Sequence, residues 1–271
     1  MNIVGFGRIL VWQGGSLWIG QSVRVQPHTH HGIQIGIALE GEMEFDTKGE
    51  WRPYAVAVIP SKLRHAMDTR GKLAAQIFVE PESVEGRILA ESHCAEGMIA
   101  SLPLEMISES AARLLSDYLS SAADDQLVGD AHAIIGDLTA GTQPRIAIDP
   151  RIRTAIDLMR TKLDMTITLR HAASLVHLSP GRFRHLFVEQ TGTPLRPYLL
   201  WLRIATAVES IARGESITEA AHLAGFSDSA HLARIFRRTF GMAPSALRFD
   251  KGPARKLAME FPADVRMKDK G

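Results

Sequence analysis

From about Ser16 to Val79 the chain reads as β, with apolar residues at strand-like spacing. Leu17, Ile19, Val23 and Val25 form one series, and Ile33, Ile35 and Ile37 alternate with Gln34 and Gly36. That spacing turns one side of an extended chain toward a core. Val56, Val58 and Ile59 add a short apolar run, and Glu40-Gly41, Lys48-Gly49, Pro53, Pro60 and Gly71 supply turns. Many short strands with Gly and Pro between them predict a sandwich or small barrel. The period then changes. Leu104, Ile107, Ala111, Leu114, Leu115, Tyr118 and Leu119 fall on one face of a helix, and a second helix is predicted over 126–138. The stretch TAGTQPRIAIDP, 139–150, is broken by Gly and Pro and reads as a linker. From 151 to 248 nearly everything has helical spacing. Residues 251–271 are charged and broken by Gly and Pro, which predicts a frayed tail. The expected architecture is α+β and multidomain: a β-rich domain with following helices at 1–140, a linker at 141–150, an all-α domain at 151–249 and a flexible tail at 250–271.

Composition is consistent with this division. The chain has 271 residues, 45% hydrophobic and 23% charged, which is ordinary for a soluble globular protein of two domains. No uncharged apolar run approaches the roughly 20 residues that span a bilayer. The N-terminal residues lack a basic start, an apolar middle and a small-residue cleavage site. Cys94 is the single cysteine, so an internal disulfide and an all-cysteine zinc site are excluded. A cytoplasmic protein is expected. The net charge of +1 hides an asymmetry, because residues 1–148 carry −7 and residues 149–249 carry +6. A basic unit joined to an acidic one suggests that only part of the chain meets a polyanion.

The basic half holds two stretches of one layout, TLRHAASLVHLSPGRFRHLFVEQTG (168–192) and SITEAAHLAGFSDSAHLARIFRRTFG (216–241). Each reads as a short helix, a tight turn and a second helix rich in Arg, the grammar of a helix-turn-helix. Ser179 before Pro180 is an N-cap with proline at the first helical position. Ser216 and Glu219 have capping-box spacing, and Gly225 marks a sharp turn. PYLLWLRIATAVESIARG, 197–214, fits one continuous helix joining the two units. In the first second-helix Phe183, Leu186 and Phe187 pack, leaving Arg182, Arg184 and His185 outward. In the other, Leu232, Ile235, Phe236 and Phe240 pack, leaving Ser229, His231, Arg234, Arg237 and Arg238. These eight are the candidate DNA contacts, either with base edges or with phosphates. On one rigid chain the two helices would read successive grooves, ~34 Å apart. An α-helical bundle with surface arginines is the plainer reading, but two capped, basic repeats are hard to obtain by chance.

The segment 203–248 resembles the signature of AraC/XylS-type transcription regulators. The likeness rests on Ile-Thr-Glu-Ala-Ala, Ala-Gly-Phe-Ser-Asp, Phe-Arg-Arg-x-Phe-Gly and the closing Pro-Ser, and extends over about 152–248. It implies two helix-turn-helix subdomains on double-stranded promoter DNA. Gly181 departs from it, standing where many relatives place a larger side chain early in the first reading helix.

The β-rich half resembles a cupin barrel in PHTHHGIQIGIALEGEMEF (27–45) and VIPSKLRHAM (58–67). The resemblance implies a metal site at His28, His30, Gln34 and His65. Three imidazoles suit zinc or another divalent transition metal. Gln34 stands where enzymatic cupins carry a glutamate, and Lys62 replaces a glycine; a neutral amide lowers metal affinity. His31 should face away from His30 on an extended strand. The plainer reading is that these histidines satisfy local hydrogen bonds. Trp12, Trp18, Trp51, Met43, Phe45 and Phe78 either line an effector pocket or fill the core. Cys94 beside His93 is an oxidant sensor only if its thiol pKa is lowered.

Three functions fit these features. The first is a DNA-binding regulator, activator or repressor, with an effector-binding cupin-like domain. The second is a metal-dependent cupin enzyme, such as an oxygenase or isomerase. The third is a direct metal sensor using His28, His30 and His65. The tandem motifs favour a regulator and Gln34 speaks against the enzyme. The helices around 102–138 must pack on the barrel or pair with a second chain, and the resemblance implies a homodimer. Activation would add RNA polymerase as a partner.

Overall fold

The computed structural model describes residues 4–94, 96–163 and 167–249. The expected tail at 250–271 lies outside the described residues. The described residues open with nine strands: β1 (Gly5–Trp12), β2 (Gly15–Ser22), β3 (Val25–His28), β4 (Ile33–Ala38), β5 (Met43–Asp46), β6 (Trp51–Tyr54), β7 (Val56–Ile59), β8 (His65–Asp68) and β9 (Leu73–Val79). Then come α1 (Val84–His93), β10 (Ala100–Leu102), α2 (Ser108–Leu119) and α3 (Asp124–Thr139).

The alternation in β4 decides the layering. Ile33, Ile35 and Ile37 join Leu17, Ile19, Val56, Val58 and Ile77 in a cluster beneath Leu89 of α1, Leu114 of α2 and Ile134 of α3. Ala38, one position past Ile37, faces the opposite way, with Ala57 and Ile59, onto Val25, Met43, Phe45 and Met67 of the smaller sheet. The larger sheet therefore has helices on one side and the second sheet on the other. Strand order is β10-β7-β4-β9-β2-β1 in the larger sheet and β3-β8-β5-β6 in the smaller. The barrel expected from sequence is realised as two facing, mostly antiparallel sheets, and among the described residues each strand pairs only within its own sheet. The apolar faces of α2 and α3 are covered by the large sheet, so of the two expected partners for these helices the sheet is the one seen.

After an irregular segment over 140–149 the chain is helical: α4 (Pro150–Arg160), α5 (Leu169–Ser174), α6 (Pro180–Thr191), α7 (Leu195–Ala212), α8 (Ile217–Leu223) and α9 (Ser229–Phe240). Two cores form here. One gathers Ile152, Ile156, Phe183, Leu186 and Phe187, and the other gathers Ala220, Phe226, Leu232 and Phe236. Helix α7 belongs to both, giving Tyr198, Leu199 and Leu202 to the first and Ile204, Ala207, Val208 and Ile211 to the second. Gly225, at φ +74°, makes the turn between α8 and α9, where a β-carbon would lie 2.7 Å from the Leu163 carbonyl oxygen. The chain ends its described course in β11 (Leu247–Phe249), which pairs in parallel with β1, Gly5 opposite Leu247. The second helical core is thereby continuous with the first strand, since Ile9 and Val11 pack against it.

Candidate functional site

The two arginine-rich helices are built from local signals. Ser179 accepts the Arg182 N–H at 3.3 Å, with Pro180 in the first turn of α6. Phe183, Leu186 and Phe187 are buried, while Arg182, Arg184 and His185 are exposed. Gly181 is exposed, with open space around it. Helix α9 is capped by Asp228, which accepts the His231 N–H at 2.7 Å; that cap follows from an Asp placed directly before Ser229. Leu232 and Phe236 are buried, Ile235 and Phe240 are half-buried, and Arg234, Arg237 and Arg238 are exposed. Ser229 and His231 are only half-exposed, and the His231 ring stands edge-on to Phe226 and 3.2 Å from the Ser227 hydroxyl. Guanidinium groups pointing to solvent from paired, capped helices suit a phosphate backbone and guanine edges.

A second constellation is buried between the sheets. His28 ends β3, His30 lies in the following loop, Gln34 is on β4 and His65 opens β8 opposite His28. Among the described residues His28, His30 and His65 are the one group with metal-ligand spacing, their ligand atoms lying within 4.8 Å of one another. Each ring turns Nδ1 to a backbone carbonyl: Gln26 at 2.8 Å, Gly32 at 2.7 Å and Leu63 at 3.0 Å. With the proton on Nδ1, the Nε2 lone pairs are left for the site. Those of His30 and His65 point at the Gln34 Oε1, at 2.9 and 3.1 Å. The Gln34 Nε2 is committed to Gln76 Oε1 at 2.7 Å. Burial is the main cause that drives the His28 pKa down to about 3 and that of His30 to about 4, and it holds His65 well below its ordinary value, so all three rings are neutral. Neutral imidazoles with backbone-anchored Nδ1 atoms and one amide oxygen form a donor set that fits a divalent transition metal. Turning over the Gln34 and Gln76 amides would instead close the same atoms as a metal-free hydrogen-bond network.

His31 turns away from this cluster, as expected. Its Nε2 lies 2.9 Å from Glu82 Oε2 and its Nδ1 3.1 Å from the Thr193 hydroxyl. The Tyr198 hydroxyl of α7 donates to the other Glu82 oxygen. Nearby, Arg160 of α4 is paired with Glu80. Burial pushes the Glu80 carboxyl up. Burial would raise Glu82 too, but the bonds from His31 and Tyr198 bring it below its ordinary value. Glu80, Glu82, Arg160 and Tyr198 carry no motif in the sequence; only their three-dimensional meeting reveals them.

A cavity of about 700 Å³ separates the sheets from the helical half. Trp12, Trp18 and Phe78 line one side, Trp201, Phe240 and Met242 the other, and His28, Gln34, Gln76, Glu80 and Arg160 add polar groups. The remaining pocket candidates do not line it: Met43 and Phe45 are core, and Trp51 sits under Arg24 with the guanidinium 4.4 Å from its ring centre. Gln76, a polar residue within the apolar run LAAQIF, was a readable signal that sequence reasoning passed over. Cys94 is part-buried, which raises its thiol pKa to about 11, and His93 bonds to the Leu138 carbonyl. The thiol is not activated.

Residues 172–249 match the family model described as a helix-turn-helix domain. The chain is similar to the HTH-type transcriptional activator RhaR of Pectobacterium atrosepticum, with 29% identity over 106 residues, 39% of this chain and 37% of that protein. The chain thus matches a little over a third of the length of such relatives. Similarity to the HTH-type transcriptional regulator NimR of Escherichia coli is lower, 21%, but covers 80% of both chains. Among solved structures, ToxT from Vibrio cholerae O395 superposes with a TM-score of 0.53 at 11% identity, over 90% of this chain and 94% of that one. ToxT of strain SCE256 with a bound unsaturated fatty acid gives 0.51 at 12% identity, over 90% and 95%. At such identities the likeness is one of fold. Among the described residues no helix is long and apolar enough to cross a membrane.

Proposed function

We infer that this chain, whose C-terminal half is an AraC-type helix-turn-helix domain, is a sequence-specific transcription regulator that binds promoter DNA through α6 and α9. The observation that carries this is the pair of capped helices, each with a buried apolar face and exposed arginines, held on the two ends of α7. Duplexes selected in vitro from a random library provide the test. Arg184→Ala and Arg234→Ala should each weaken binding to the selected duplex by about 1–3 kcal/mol at fixed salt if they read bases. A uniform loss across all sequences would assign them to phosphates. Wild-type binding by both variants would overturn the assignment of α6 and α9.

In this reading the cavity between the halves takes a small-molecule effector. Its volume and apolar, aromatic walls with a few polar groups suit such a ligand. The ToxT structure with a bound fatty acid supports ligand binding in a chain of this fold. The ligand's differential affinity for two arrangements of the halves would set the response. Homodimerisation belongs to the same reading, on surfaces other than the sheet-covered faces of α2 and α3. Sedimentation of the free and effector-bound protein tests it.

A second reading, favoured by the three backbone-anchored histidines, is that the cluster binds a divalent metal such as zinc and that the protein senses it. His28, His30 and His65 would hold the ion through Nε2, with Gln34 Oε1 as a neutral fourth ligand. Without a carboxylate at Gln34, this donor set favours sensing over the redox or hydrolytic chemistry of a cupin enzyme.

A further inference from the structure

The histidine cluster and the second recognition helix share one seam. Helix α9 closes at Gly241, φ +69°, whose N–H donates to the Arg237 carbonyl at 2.9 Å. A β-carbon on Gly241 would collide with the Gln26 carbonyl oxygen and stand 2.7 Å from Val25 Cγ1 and 2.9 Å from His28 Nδ1. The helix end therefore lies directly on the His28–Gln26 hydrogen bond. From there the strand bonds back to the helix: the Gln26 N–H donates to the Gly241 carbonyl at 3.2 Å, and the Thr29 N–H to the Arg238 carbonyl at 3.4 Å.

The three rings are not placed equally. The Nε2 atoms of His30 and His65 already converge on the Gln34 Oε1, at 2.9 and 3.1 Å. His28 is held through its Nδ1 bond to the Gln26 carbonyl. An ion on its Nε2 would give this ring its second anchor. Ligation also makes Nδ1–H a better donor, strengthening the bond to the Gln26 carbonyl that such ligands characteristically make. The residue that supports His28 is thus the residue that pairs with the last turn of α9, next to Arg237 and Arg238.

We propose that a divalent transition-metal ion on His28, His30 and His65 is read by the second recognition helix through the Gln26–Gly241 seam, so that ion occupancy tightens DNA binding. Gln26 and Gly241 are positioning residues in this scheme, acting on Arg237 and Arg238 rather than touching DNA. The proposal rests on the metal reading above, and its test separates the two.

The full chain is purified without an affinity tag, stripped with chelator and titrated with zinc or cobalt(II). Three quantities are measured: ions per chain, amide hydrogen exchange over 236–242, and affinity for the selected duplex. The expected result is one ion per chain, slower exchange at the end of α9 and duplex binding tighter by about fivefold or more. Gly241→Ala, whose β-carbon would press on the Gln26 carbonyl and on His28, should disturb the cobalt spectrum and the DNA response to the ion together. One bound ion with exchange or affinity unmoved in wild type sinks the coupling and leaves the metal site standing. No bound ion, or equal binding by His28→Ala, removes the metal site and the coupling with it. Because the wild-type comparison needs no variant, it decides between these outcomes even if the Gly241→Ala protein fails to fold.

Discussion

Single residues here act through what they bond. Ser179 is exposed, yet its hydroxyl accepts the Arg182 N–H and fixes the start of the helix that presents Arg182, Arg184 and His185. Ser179→Ala should cost about 1 kcal/mol, and Ser179→Gly only a few tenths, in chemical denaturation. Equal losses for the two would mean that the hydroxyl does not act as a cap. Cys94 gives a second prediction at this scale. With its pKa near 11, its thiolate fraction at pH 8 is about a hundredfold below that of a free cysteine, and thiol-specific reagents should label it correspondingly slowly. Fast labelling of the folded protein would restore the redox reading that its neighbour His93 suggested. Gln34 shows how a single departure from a motif is informative: the exchange of a carboxylate for an amide was visible in the sequence, but the approach of its Oε1 to His30 and His65 and its bond to Gln76 required the fold.

At the scale of elements, legibility follows the range of the interactions. The helices that present the arginines were readable because caps, turn glycines and a 3.6-residue period are local. The joining helix was expected over 197–214 and is seen as Leu195–Ala212, since Pro194 can end an extended segment and start a helix. The layering of β4 was readable from alternating Ile and polar or small residues. Other elements left little local trace. Helix α1 lies in a stretch with weak apolar periodicity and is fixed by Ser83, which accepts the Gly86 N–H. Strand β1, GFGRILVW, has two glycines and an arginine, and strands β10 and β11 are three residues each, too short to carry a period.

The whole molecule depends on contacts far apart in sequence, which is why its arrangement could not be read from spacing. Tyr198 and Glu82 are 116 positions apart, and His31 and Thr193 are 162 apart. Their network is buried and polar, a costly arrangement unless every member is satisfied. Tyr198→Phe keeps the ring packed on Phe187 and His31 while deleting its bond to Glu82. A loss of about 1.5–3 kcal/mol is expected, because the acceptor is a charged carboxylate. Hydrogen exchange should rise together in α7 and in the loop holding Glu82. A rise confined to α7 would show that the network stabilises one half rather than joining the two.

Strand β11 adds a constraint of another kind. The larger sheet begins with residue 5 and gains its last strand only at residues 247–249. During synthesis that edge stays open until almost the whole of this sequence has left the ribosome. A nascent or prematurely stopped chain that already carries the nine opening strands therefore exposes the free side of β1, with Ile9 and Val11 uncovered, as a template for another strand. Chains cut before residue 247 should for that reason be more prone to chaperone capture and aggregation than their intact sheet core would suggest.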